Sequence, residues 1–157
     1  MPNWLAWGCG GLLVFMALIG LSCFFMARKT MEVGEKDFAP TCERYFTQVA
    51  TGNYRSAYAD FSDEMHTATK EEDYVAFDQG IHELLGNLRE KSIVHVMTGI
   101  DQKGRWGRII YQGKFEKGEG TIRFELRKEG TTFKILGLNY ESPRLVEAIK
   151  AQAPPAP

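Results

Sequence analysis

Gly118-Glu119-Gly120-Thr121-Ile122-Arg123-Phe124-Glu125-Leu126-Arg127-Lys128-Glu129-Gly130 is the stretch on which the fold turns. From Thr121 to Lys128 the residues alternate, with Ile122, Phe124 and Leu126 at one parity and Arg123, Glu125 and Arg127 at the other. Successive side chains of a strand point to opposite faces, so this pattern predicts a half-buried β-strand with one face on a core. Glycines bracket it, and β-rich runs stand on either side. Upstream, residues 92–98 and 107–115 predict two strands around a turn at Asp101-Gln102-Lys103-Gly104. Downstream, Glu129-Gly130 turns the chain into a fourth strand over residues 132–140. Connections this short predict an antiparallel meander, because parallel neighbours need long crossovers.

Before the strands the period is helical. Phe38, Cys42, Phe46 and Val49 recur at helix spacing with Tyr45 beside them, and Gly52-Asn53 closes that helix. A shorter helix is expected over residues 54–61, with Tyr54, Ala57, Tyr58 and Phe61 on one side. Thr69-Lys70-Glu71-Glu72 reads as a capping box that opens a third helix. Tyr74, Phe77, Ile81, Leu84 and Leu85 form its apolar face, and Gly86 stops it. Ser142-Pro143 reads as the N-cap and first residue of a short terminal helix reaching about Gln152. Helices gathered before strands predict the α+β class: three helices packed on one face of a curved four-stranded antiparallel sheet, then a short C-terminal helix.

The N-terminal part is of another kind. Residues 4–27 contain no Asp, Glu, Lys, Arg, His, Asn or Gln over 24 positions. As a helix that run is about 36 Å long, enough to cross a hydrocarbon core of about 30 Å. Trp4 and Trp7 suit one interface, and Arg28 and Lys29 suit the other. The expected organisation is a membrane anchor over 1–29, a connector over 30–37, an α+β domain over 38–152 and a disordered Pro/Ala tail over 153–157. A cleaved signal peptide fits less well, because the apolar run is long and no Lys or Arg precedes it. Gly20-Leu21-Ser22-Cys23 partly matches a lipoprotein box, which leaves lipidation at Cys23 as the alternative to an uncleaved anchor. Arg28 and Lys29 lean toward a cytoplasmic domain. The habit of bacterial proteins with very short N-terminal anchors leans the other way, and the exterior, periplasmic side is the expectation. Ala6, Gly10, Ala17 and Gly20 share one stripe of the anchor and are candidates for close helix packing in lipid.

A further likeness rests on Tyr45-Phe46, on Gly52-Asn53-Tyr54-Arg55-Ser56-Ala57-Tyr58 with Phe61-Ser62, and on the closing run from Lys128 to Gly137. These resemble the opening and the final hairpin of the nuclear transport factor two-like superfamily, the cystatin-like cone, in its bacterial membrane-anchored branch. Phe133 stands where such hairpins often carry Trp. The resemblance covers about residues 38–140 and implies helices closing a cone over a curved sheet. The superfamily holds isomerases and dehydratases as well as binding and assembly domains, so it does not select a function.

Chemistry-bearing residues are few. A formal charge of −1 with alternating signs offers no basic face for nucleic acid. Cys42 is the one cysteine outside the apolar segment, so no disulfide within the domain is expected, and its place on the stripe with Phe38 and Phe46 argues against a nucleophile. Asp78 and His82 stand four apart, but no second pair completes a metal site, and a hydrogen-bonded surface pair is expected. Residues 113–120 have the glycine spacing of a phosphate loop without its Lys-Ser/Thr, and read as a hairpin turn. Enzymes of the resembled fold use an acid or base inside the cone, for which Asp60, Tyr45, Tyr58, Tyr74 and His95 are of the right types. Nothing in their spacing makes them converge, so no catalytic residue, cofactor or metal is expected. The expected function is a non-enzymatic, membrane-tethered binding or assembly domain, an accessory subunit of a larger membrane complex. Its partner would be another membrane protein, met through the anchor helix, the outer sheet face or both, with a homo-oligomer left open. The alternative is a small apolar ligand, or isomerase-type chemistry, in the cone.

Overall fold

Three two-residue loops set the sheet. In a computed structural model, which describes residue 32 and residues 34–152, strand β1 (Leu88–Asp101) turns into β2 (Gly104–Phe115), then β3 (Gly118–Glu129) and β4 (Thr132–Glu141). All neighbours are antiparallel, in the order β1-β2-β3-β4. The class is therefore α+β with a four-stranded antiparallel meander. Register breaks between Ile93 and His95 in β1, and opposite Glu125 and Leu126 in β3, mark bulges, which bend a strand and increase its twist. The 113–120 stretch forms the β2–β3 hairpin, as its lack of a phosphate-binding Lys-Ser/Thr implied.

Ile122, Phe124 and Leu126 are buried, and Arg123, Glu125 and Arg127 lie on the opposite face. Helix α1, which spans 34–50 within the described residues, lays Phe38, Cys42, Tyr45 and Phe46 on that inner face. The expected connector is thus already helical over 34–37. Phe124 is the hub: its ring meets Tyr45 at 5.3 Å, Phe46 at 5.3 Å and Tyr111 at 5.9 Å, all edge-on. Gly107 permits the closest helix–sheet approach, since a Cβ there would lie 2.1 Å from Phe38. Phe133, in the place where the resembled hairpins carry Trp, packs edge-on against Phe38 at 4.7 Å.

Among the described residues four helices, not three, precede the sheet. The expected 54–61 helix stops early as α2 (Tyr54–Tyr58), and a separate α3 (Asp63–Ala68) follows. Ser62 caps α3, its hydroxyl accepting from the Met65 N–H at 3.2 Å. Thr69 is therefore not the N-cap of the next helix: it ends α3, and α4 (Glu71–Leu85) starts from Lys70 with no side-chain cap. The buried side of α4 also differs from expectation. Tyr74, Asp78 and Leu85 are inside, whereas Phe77 and Leu84 are exposed. An apolar tally rotates the helix the wrong way when the buried stripe carries a carboxylate. Helix α5 (Pro143–Gln152) begins at the expected proline, with the Ser142 carbonyl accepting from the Val146 N–H, but the buried Ser142 hydroxyl finds no partner among the described residues.

No helix among the described residues is long and apolar enough to cross a membrane. The expected span over 4–27, with Ala6, Gly10, Ala17, Gly20 and Cys23, lies outside those residues, as does the 153–157 tail.

Candidate functional site

A carboxyl group stands inside the aromatic core. Asp78, 1% exposed, projects from α4 with both carboxylate oxygens engaged. Tyr74, one helical turn earlier, donates to Oδ2 at 2.6 Å. The Tyr45 hydroxyl, from α1, lies 2.9 Å from each oxygen. Tyr45 has one proton to give to the carboxylate, so the Tyr140 hydroxyl, 3.0 Å away, donates to Tyr45. The result is a chain of hydroxyls from β4 through α1 to α4, ending on a buried acid.

Burial raises the Asp78 carboxyl above its ordinary range, against the hydrogen bonds of Tyr74 and Tyr45 and the charge of His82, which pull it down. Tyr45, Tyr74 and Tyr140 are all raised, each chiefly by burial. They therefore stay protonated and act as donors at neutral pH. A cavity of about 40 Å³ adjoins the cluster, bordered by Asp78, His82, Tyr140, Phe46, Phe115 and Leu88. That volume suits water-sized occupants, far below the roughly 300–1,000 Å³ of small-molecule sites.

Two of the sequence-derived candidates, Tyr45 and Tyr74, meet here, and three do not. Tyr58 donates to the Thr69 carbonyl. Asp60 is buried at the rim, where Arg44 donates to its two oxygens at 3.0 and 3.1 Å. His95 is exposed on β1 opposite Ile110, on the outer face. Asp78 was expected on the surface with His82, and its burial corrects that. The signal available was its position one turn from Tyr74 on an otherwise apolar stripe. Tyr140 was not legible, because the bulge after Ile135 puts it on the inner face against the alternation that Phe133 and Ile135 set. Cys42 is fully buried, and burial pushes its thiol up, as suits a core residue.

The outer sheet face is the second candidate. A cleft of about 200 Å³ is bordered by Asp101, Trp106, Arg108, Glu125, Arg127 and Leu136. Trp106 lies across β1 because Gly99 has no side chain: a Cβ there would sit 2.7 Å from the indole. Arg108 donates to Glu125 at 2.6 Å, and Arg127 makes a two-pronged pair with Asp101 at 3.1 and 3.2 Å. Those Arg127 bonds hold the Asp101 carboxyl below its ordinary range. The charges are thus neutralised in pairs around the indole.

No protein-family model matches the chain, and comparison with curated proteins finds no match. Among solved structures, the chain is similar to that of Aln2 from a Streptomyces species, at 10% identity and a TM-score of 0.47. The match covers 74% of this chain and 94% of that one.

Proposed function

We propose that this chain is a membrane-tethered binding or assembly domain with a nuclear transport factor two-like cone, working as an accessory subunit of a larger membrane complex. Residues 4–27 are the anchor, and the domain stands on the exterior, periplasmic side. The observation that carries this reading is the filled interior. Phe124, Tyr45, Phe46 and Tyr111 interlock where a cone would hold a ligand, and the cavity beside Asp78 is about 40 Å³. The larger clefts between α1 and β1, about 490 and 390 Å³, are open and rimmed by the charged Glu43 and Lys91. Recognition then falls to the surface, and the outer sheet face is the best-furnished part. Its exposed or half-buried Trp106, Met97, Ile110 and Leu136 are interspersed with paired arginines. Aromatic side chains and Arg are the residues enriched at the centres of protein interfaces.

Native mass analysis of the full chain, extracted in mild detergent at its natural abundance, tests this. A defined complex is expected; a chain found only as free monomer would overturn the reading. Trp106→Ala should weaken the complex by about 30-fold or more, the scale of a 2 kcal/mol hot spot. Labelling of a cysteine placed at exposed Ser92 on intact cells tests the exterior assignment, and labelling only after lysis reverses it.

The alternative, a small ligand or isomerase-type chemistry in the cone, has one observation in its favour. Asp78, Tyr140 and His82 all border the interior cavity. Calorimetry with small apolar ligands separates the readings, since a 40 Å³ cavity admits none of ring size without repacking.

A further inference from the structure

Ile100 is 83% exposed, the most exposed of the large hydrophobic side chains described. It sits beside the turn of the β1–β2 hairpin, paired across the strands with Arg105. Side chains directly opposite in an antiparallel pair share a face. Arg105 reaches Asp37 of α1 at 2.7 Å and lies over the Phe133 ring, so Ile100 is on the α1 side of the sheet. It is also at the end of the sheet near the start of α1, because Asp37 and Phe38 meet Arg105 and Gly107 while Phe46 meets Tyr111. The exposed isoleucine therefore lies close to where the chain enters the domain.

The sequence says what is nearby. Residue 34 is already helical, and the uncharged apolar run ends at Ala27, seven residues before it. Seven residues span about 10 Å as helix and about 23 Å fully extended. The headgroup zone is itself about 5–7 Å deep on each side of a bilayer. As helix the tether holds the α1 end within a few ångströms of that zone, and even fully extended it lifts that end no more than about 16–18 Å above it.

We propose that the β1–β2 hairpin tip rests on the bilayer crossed by residues 4–27, with Ile100 seated in the lipid interface. This rests on the anchor reading above and extends it from a tether to a fixed orientation. Of the charges around the tip, Lys103 pairs with Glu64, Arg105 with Asp37 and Arg127 with Asp101, while exposed Lys128 at the same end of β3 has no ion pair among the described residues. The contact made by Ile100 itself is apolar and does not require anionic lipid. Its effect is to present one side of the domain, the outer sheet face, at a set angle to a neighbour in the same membrane.

The test uses the full chain in phosphatidylcholine vesicles doped with a lipid spin-labelled near the headgroup. Cys9 and Cys23 are replaced by Ala, and the buried Cys42 is left in place. An environment-sensitive fluorophore is attached through Ile100→Cys in one preparation and through Glu119→Cys, at the far end of the sheet, in the other. The probe at 100 should be blue-shifted and quenched several-fold more strongly than the probe at 119, equally with and without phosphatidylglycerol. Equal quenching at the two positions would overturn the proposal. So would a blue-shifted but unquenched probe at 100, which places residues 28–31 rather than lipid over it. Carbonate extraction of the same vesicles keeps the two readings apart. A chain that resists extraction yet fails the quenching test loses only this inference, whereas a chain released by carbonate loses the anchor and the contact together.

Discussion

Asp78→Ala is the sharpest probe of the buried cluster. The substitution removes both acceptors of the Tyr74 and Tyr45 hydroxyls. Tyr45 keeps Tyr140 at 3.0 Å, but Tyr74 has no other hydrogen bond among the described residues. One orphaned buried donor costs about 1–3 kcal/mol. The space vacated by the carboxylate adds about 1 kcal/mol. The total of about 2–4 kcal/mol should lower the urea midpoint by about 1–2 M at a slope of about 2 kcal/mol per M. Tyr74→Phe alone strips a charge-assisted hydrogen bond from the acid and should cost about 1.5–3 kcal/mol. The two together leave neither partner stranded, so the double variant should be about 1–3 kcal/mol more stable than the sum of the singles implies. The assay is urea unfolding of the full chain in mild detergent, followed by near-ultraviolet circular dichroism, for wild type, both singles and the double. Additivity within about 0.5 kcal/mol would refute the claim that Asp78 and Tyr74 act as one unit.

Phe124→Ala should cost about 3–5 kcal/mol, because it opens a hole between three rings in a fully buried position, whereas Glu125→Ala on the outer face should cost less than about 1 kcal/mol; the same urea titration distinguishes them. Ser62→Ala should cost about 1 kcal/mol by removing the α3 cap, while Thr69→Ala should change stability by less than half of that, and the reverse order would contradict the cap assignment. Burial lifts the Asp78 carboxyl above its unfolded value near 3.8, so the folded state holds that proton more tightly. The stabilising share is present below about pH 4 and is lost as pH rises through the lifted value. Urea midpoints of wild type and Asp78→Asn, compared from pH 4 to 7, should therefore move against wild type as pH rises, and a constant difference would refute the shift.

What the sequence determined by itself is local and periodic. Alternation from Thr121 to Lys128 assigned each side chain of β3 to its face, because a strand's period of two needs no knowledge of its neighbours. The stripe of Phe38, Cys42 and Phe46 likewise oriented α1, and Asp101-Gln102-Lys103-Gly104 and Glu129-Gly130 located two of the hairpins. The apolar run over 4–27 stands out in composition alone. The candidate site was legible only as residue types. Tyr45, Asp78 and Tyr140 are 33 and 62 positions apart in sequence and belong to three elements, so only packing of α1 and α4 on the sheet brings their oxygens within 3 Å. Tertiary packing also rotated α4 to bury a carboxylate and expose Phe77, against its apolar pattern. The reason is energetic: two hydroxyl donors inside the core, one of them backed by the Tyr140 hydroxyl, make a buried acid tolerable, and a helix read alone cannot know that they are there. The same holds for Thr69, whose capping pattern lost to a short helix that Ser62 starts and the neighbouring β4 edge holds in place, through the Ser62 N–H to Ile135 carbonyl bond of 2.9 Å.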